Sequence, residues 1–339
     1  DVGGLAALQC KATTTSHDPP IRAVTLAGLL VPAPWATGGA PLTGSQARDF
    51  YAAKDFDDMK QLGINTVLIH VPNDEGDFAA THDVLTHVLR MVGDSDLRAI
   101  LSLHYNSVTA KESPSGYRAT SNVAAFAADH ATVWGVILPD NSSAAVDAAR
   151  AVSSTVPLFL PANGGDLTRL NNDQNDPNLF VALDMRHSNT VADVASSTAV
   201  DDRMKMFYHE ATACISRSPL EYAACFRHMP VFVSSGFDLS IDNCIHDTDS
   251  KSGAGVPFGD YGQCHRFEDT IDSPWWHRHR ASFGARQLFG YEQGMGWSFA
   301  TYKLWGGDHD KHVARIDKPA KLLAYKNVAA AGLLPILHQ

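Results

Sequence analysis

The sequence predicts one α/β domain, a single (β/α)8 barrel of the TIM type over residues 1–339 with residues 1–20 as a lead-in. Strand-like and helix-like segments alternate about eight times without an internal change of composition. The strand candidates are continuous apolar runs, such as NTVLIHV at Asn65–Val71 and VWGVIL at Val133–Leu138. Parallel strands buried on both faces have that character. A length of 339 residues suits one such barrel. A doubly wound open sheet is the competing arrangement, but no glycine-rich phosphate loop follows the first strand.

Thr13–Pro20 is polar and ends in proline, and the first strand is expected in the apolar run Ala23–Val31. Gly38–Thr43 is a loop. Ala52–Leu62 has apolar residues at helical spacing and stops at Gly63, a good terminator. Asn65–Val71 is the second strand, Asp83–Val92 a helix ended by Gly93, Leu97–His104 the third strand and Asn122–His130 a helix. Val133–Leu138 is the fourth strand, followed by a helix from Ser143 that an Asp or Ser before it would cap. Val156–Leu160 and Leu179–Asp184 are the fifth and sixth strands, with a long polar loop, Ala162–Pro177, between them. Helices are expected at Arg203–Cys214 and Leu220–Phe226, and the seventh strand at Val231–Ser235. His277–Tyr291 is a helix, Gly296–Tyr302 the eighth strand and Pro319–Ala331 the closing helix.

Hydrophobic residues at 45% and charged residues at 19% describe a globular chain able to bury a large core. A net charge of −10 excludes nucleic acid and anionic membrane as partners, because both require a basic surface. No apolar run approaches the roughly 20 residues that span a bilayer. The chain begins at Asp1 without a charged and apolar leader, so a secretion signal is expected to have been removed or never to have existed.

Five cysteines stand at positions 10, 214, 225, 244 and 264. The last four are clustered without a CxxC pair, which fits two loop-stapling disulfides better than zinc. The expected pairs are Cys214–Cys225 and Cys244–Cys264, leaving Cys10 over and placing the protein in an oxidising, extracellular compartment. The alternative is five unpaired buried thiols in a cytosolic protein.

With the strands placed, several segments resemble glycoside hydrolase family 5, most closely its fungal exo-β-1,3-glucanase branch. AVTLAGLLVPAPW at Ala23–Trp35 is similar to the family's opening G-V-N-L-G-G-W-L-V-x-E-P-W, and MKQLGINTVLIHVP at Met59–Pro72 to its second-strand L-G-x-N-x-V-R-I-P. AILSLH at Ala99–His104 resembles V-I-L-D-L-H, and GWSFATYK at Gly296–Lys303 resembles G-W-x-F-W-x-W-K. The spacing from the seventh-strand tip to Cys244 and Cys264 is also similar to that branch. The resemblance implies a secreted fungal β-glucan-active barrel.

The departures fall on the chemistry. Aligned without gaps, the fourth-strand N-E-P falls on Asp140-Asn141-Ser142, so Asn141 stands for the acid/base glutamate. The seventh-strand G-E-W falls on Ser235-Gly236-Phe237, so Gly236 stands for the nucleophile. The second-strand arginine becomes Leu68, the sixth-strand histidine and tyrosine become Arg186 and Ser188, the first-strand glutamate becomes Ala33, and a sugar-stacking tryptophan becomes Ala300. Of the family's cleavage-site side chains, His104 alone stands clearly. Glycoside cleavage needs a proton donor and a second carboxylate. Asparagine donates no useful proton, and glycine has no side chain to attack with. Asp140 and Asp238 are the nearest carboxylates, but a strand residue's neighbour normally faces the other way.

The expectation is therefore a pseudo-glycosidase with no catalytic residues, no cofactor and no metal, which binds β-glucan or a related oligosaccharide so that a host does not detect cell-wall fragments. Alternatives are an enzyme using relocated carboxylates such as Asp140, and a protein-interaction barrel. The ligand cleft is expected at Trp35, His70, His104, Asp140, Asn141, Arg186, Phe237, Trp297, Tyr302 and Trp305. Aromatic residues at such positions are more often core or rim packing. His277 with His279, or His309 with His312, could pair on a metal, but no carboxylate or cysteine set completes a site. Asn141-Ser142-Ser143 is the only N-x-S/T sequon. Ser234 and Ser235 lack the G-x-S-x-G surroundings of a serine nucleophile.

Overall fold

The computed structural model describes residues 19–31, 44–104, 114–162, 176–183, 230–237, 239, 274–292, 294–303 and 324–334. Eight parallel strands close into a barrel in sequence order. They are β1 (Ile21–Thr25), β2 (Thr66–Pro72), β3 (Arg98–His104), β4 (Val133–Ile137), β5 (Leu158–Ala162), β6 (Leu179–Leu183), β7 (Val231–Phe237) and β8 (Gly296–Phe299). The described helices are α1 (Gly44–Phe50), α2 (Ala53–Gln61), α3 (Glu75–Asp94), α4 (Pro114–Asp129), α5 (Ser143–Arg150), α6 (Pro274–Tyr291) and α7 (Tyr325–Ala330). None of them is long and apolar enough to cross a membrane.

Strand alternation sorts the apolar side chains into two cores. Val67, Ile69 and Val71 of β2, with Leu158 and Leu160 of β5, join the layer between strands and helices. Leu68, Ile100, Ile137, Phe159, Phe180 and Phe232 fill the barrel interior. Its bulk comes from β4 to β7: the Phe159 ring lies 5.3 Å from both Trp134 and Phe180, and 5.6 Å from Phe232. Small Ala23 and Ala182 complete the packing. Gly135 admits the large Phe159 ring, because a Cβ there would come within 2.9 Å of it and 2.8 Å of the Pro157 carbonyl.

Closure depends on the β8–β1 seam, where Gly296 pairs with Ile21. Gly296 has φ +126, and a Cβ on it would lie 1.9 Å from the Ile21 carbonyl oxygen. The backbone enters the seam through Ile21 N–H donating to Met295 O at 2.7 Å, and Met295 N–H donating to Val231 O at 2.7 Å. Arg22 fastens the same end by donating from Nε to Glu292 at 2.8 Å.

Two helix starts are fixed by polar side-chain caps. Asp74 Oδ1 accepts from the N–H of Gly76 at 2.9 Å and of Asp77 at 3.2 Å, which begins α3 eight residues before the expected Asp83. Its first turns carry little apolar periodicity beyond buried Phe78. Ser142 caps α5 by accepting from Ala145 N–H at 3.2 Å, as expected. α4 likewise starts at Pro114 rather than Asn122. β1 runs Ile21–Thr25 rather than Ala23–Val31, since the apolar run continues as a buried turn through Leu26, Ala27 and Leu29. β8 ends at Phe299, short of the expected Tyr302, and α7 is shorter than Pro319–Ala331. α1 was not expected. The helices expected at 203–214 and 220–226, most of the 162–177 loop and all five cysteines lie outside the described residues.

Gly296→Ala should cost at least the roughly 1–3 kcal/mol of a forced left-handed backbone, with the carbonyl clash in addition. Urea unfolding of the two proteins measures it; equal midpoints would refute the role of this glycine in closure.

Candidate functional site

The mouth of a parallel barrel lies at the C-terminal ends of its strands. Its upper inward layer is built here from small hydroxyl residues. Thr25 continues the inward face of Ile21 and Ala23, and its Oγ1 lies 3.1 Å from Ser298 Oγ on β8. Ser102 continues the face of Ile100 and is level with His70 on β2, which continues the face of Leu68. Ser234 follows Phe232 on β7. Thr25, Ser102 and Ser298 are buried, while His70, Ser234 and Ala300 are half-buried. His104 ends β3, paired with Pro72. No Asp or Glu occurs in any of the eight strands.

The first described carboxylates beyond the tips are held by backbone amides. Asp74, after β2, caps α3. Asp140, after β4, accepts from Ser142 N–H at 2.9 Å in an Asx turn. Asn141 lies between Asp140 and the cap residue Ser142, half-buried in the same bend.

The β7 tip is irregular. Val233 pairs with Trp297 and Phe237 with Phe299, so β7 takes four steps where β8 takes two. Gly236 sits in this bulged stretch, and Phe237 closes it. Bulges re-aim side chains beside active sites. Simple alternation, which argued against a neighbouring carboxylate, therefore does not hold across the bulge.

Two expected cleft residues lie elsewhere. Trp297 is fully buried on the outer side of β8, donating from Nε1 to Glu292 at 3.3 Å and stacking on Tyr325 at 6.1 Å. It points away from the barrel interior because it alternates with Ser298. Tyr302 is fully buried past the end of β8, under the Lys326 ammonium at 5.7 Å. Among the described residues its hydroxyl has no hydrogen-bond partner, and burial, followed by the charges of Asp55 and Asp58, pushes its phenol up. Neither ring lines an open cleft. Trp35, Arg186 and Trp305 lie outside the described residues, as do Asp184, Asp238 and the cysteines. Among the described residues no group of three or more His, Cys, Asp or Glu gathers to hold a metal.

A part-buried ion pair, not foreseen from the sequence, ties down the rim between β8 and β1. Lys303 Nζ lies 2.5 Å from Asp55 Oδ2 and over the rings of Phe50 and Tyr51 at 5.0 and 5.2 Å. Asp55 also accepts from Ala52 N–H at 3.0 Å and faces Lys326 at 3.5 Å. Tyr51 donates from its hydroxyl to Ala27 O at 3.4 Å, beyond β1. Burial alone would raise the Asp55 carboxyl, but the bonds from Lys303 and Ala52 and the two lysine charges outweigh it and hold the carboxyl below its usual range.

No protein-family model and no curated protein matches the chain. Its fold is shared with solved structures. Thermotoga maritima Cel5A, as a mutant with cellobiose, aligns with TM-score 0.55 at 10% identity over 94% of this chain and 96% of that one. Aspergillus niger rutinosidase aligns with TM-score 0.55 at 11% identity over 93% and 97%. A GH5-4 broad-specificity endoglucanase from Clostridium acetobutylicum aligns with TM-score 0.52 at 14% identity over 86% and 91%. At such identities the likeness is one of fold: the chain shares the (β/α)8 barrel of these solved structures.

Asp55→Asn should lower stability by about 1–3 kcal/mol, the loss of a part-buried hydrogen bond to a charged group. Because the folded carboxyl titrates below its unfolded value of about 4, the wild type holds this stability above that pH and loses it as pH falls through the folded value. Denaturation midpoints between pH 7 and 2 should therefore converge for the two proteins in acid; a constant gap would count against the pair.

Proposed function

We propose that this protein is a secreted, catalytically inactive relative of family 5 glycoside hydrolases that binds β-glucan or a related oligosaccharide at the barrel mouth. The observation that carries this reading is the fate of the carboxylates. Asn141 and Gly236 stand where the resemblance puts the proton donor and nucleophile, and Asp140 is occupied by the Ser142 amide. Two positioned carboxyl groups are the minimum for either cleavage geometry. The half-buried Ser234 hydroxyl and His70 suit a neutral polyol rather than a charged ligand. His104 and Asn141 belong to the same rim. The fungal β-1,3-glucan branch supplies the preferred ligand, and shielding cell-wall fragments from a host is the role consistent with binding without cleavage.

The β7 bulge favours a second reading, an enzyme with relocated carboxylates. Calorimetry with laminari-oligosaccharides separates the two. The binding reading expects heat saturating at one site, weakened by about 1 kcal/mol in His70→Ala, and no reducing ends released. Release abolished by Asp140→Ala would establish the enzyme. Absence of both sugar binding and reducing-end release would leave the protein-interaction barrel. Restoring Asn141→Glu with Gly236→Glu should yield little hydrolysis, because Leu68 and Ala300 still replace the supporting arginine and tryptophan.

A further inference from the structure

The bend after β4 divides its polar groups unevenly. Asp140 accepts from Ser142 N–H at 2.9 Å, and Ser142 Oγ accepts from Ala145 N–H at 3.2 Å while facing the Tyr117 hydroxyl at 3.4 Å. The Asn141 amide and the Ser143 hydroxyl take no part in this network. They are also the two groups that define the chain's only N-x-S/T sequon. Asn141 is half-buried in the bend outside any regular element, and Ser143 is exposed at the first position of α5. The residue between them is not proline, and its own hydroxyl is taken up by the helix cap.

We propose that Asn141 is an acceptor for an N-linked glycan carried on the rim of the barrel mouth. The bond formed is the β-N-glycosidic link between the Asn141 amide nitrogen and the reducing sugar of a lipid-pyrophosphate oligosaccharide donor. The lipid pyrophosphate leaves with the electron pair of the broken sugar–oxygen bond, and the amide gives up one proton. A glycan is bulky and hydrophilic. Attached at the β4 tip, it stands over the open end, where Asn141 would otherwise meet a ligand. Glycan attachment and direct ligand contact through this amide exclude one another, so the modification sets access to the mouth. The inference rests on the secretory reading of the protein, since the donor is found only in that route.

The test uses the full chain behind a supplied cleavable signal peptide, produced in a eukaryotic secretory host. The peptide containing Asn141 is mapped by mass spectrometry before and after N-glycosidase treatment in heavy-oxygen water. The expected result is a glycan at Asn141 that the enzyme removes with conversion to labelled aspartate. Asn141→Gln and Ser143→Ala should each abolish it, and Ser143→Thr should retain it. A bare Asn141 in the secreted wild-type chain, or a glycan persisting in Ser143→Ala, overturns the inference. Because glycan transfer accompanies translocation, variants that fold poorly still report. Because entry is forced by the added signal, a bare Asn141 counts against this site alone. The secretory reading itself fails separately, if the cysteines of the protein from its native source prove reduced.

Discussion

Closure at one seam is the constraint on which the remaining architecture depends. A sheet closed on itself leaves no strand edge to be covered. Here the last strand can meet the first only because position 296 has no side chain, with the Ile21 carbonyl occupying the space a Cβ would need. The neighbouring amides of Ile21 and Met295 chain β1, β7 and β8 together at the same end. Once that end is shut, the aromatic block of Trp134, Phe159, Phe180 and Phe232 has a wall on every side. Each fully buried phenylalanine then contributes about 1.5–3 kcal/mol to keeping it shut.

Local pattern made the strands legible. Apolar runs of five to seven residues between glycines and polar turns placed all eight, most within two residues of where they lie. Helix starts were less legible, because the first turns of α3 are set by the Asp74 carboxylate rather than by apolar spacing. Ser142 was readable as a cap because it directly precedes a clear helical stretch. The rim ion pair could not be read at all: Asp55 and Lys303 are 248 positions apart, and each looks like an ordinary surface charge. Trp297 and Tyr302 misled for a related reason. An aromatic at a strand end signals either a cleft or a core, and only the face of the strand decides. Trp297 alternates with inward Ser298, so it packs outward against Tyr325.

At the mouth, residue type was legible and residue use was not. The eight described strands carry no carboxylate, although the sixth was expected to include Asp184, which lies outside the described residues. That Asp74 and Asp140 are both occupied by backbone amides required coordinates. One oxygen of each carboxylate thus begins a helix or a turn. Local folding and surface chemistry draw on one small set of polar atoms in these loops.

The irregular pairing of β7 bears on how such a scaffold changes. Below Val233 the strand is in step with both neighbours, and at Phe237 it is in step with β8 again. The extra length between them is mechanical slack, which lets the tip lengthen, shorten or exchange residues while the staves beneath keep their alignment. A change of residue at this tip therefore need not disturb the alignment of the staves beneath it.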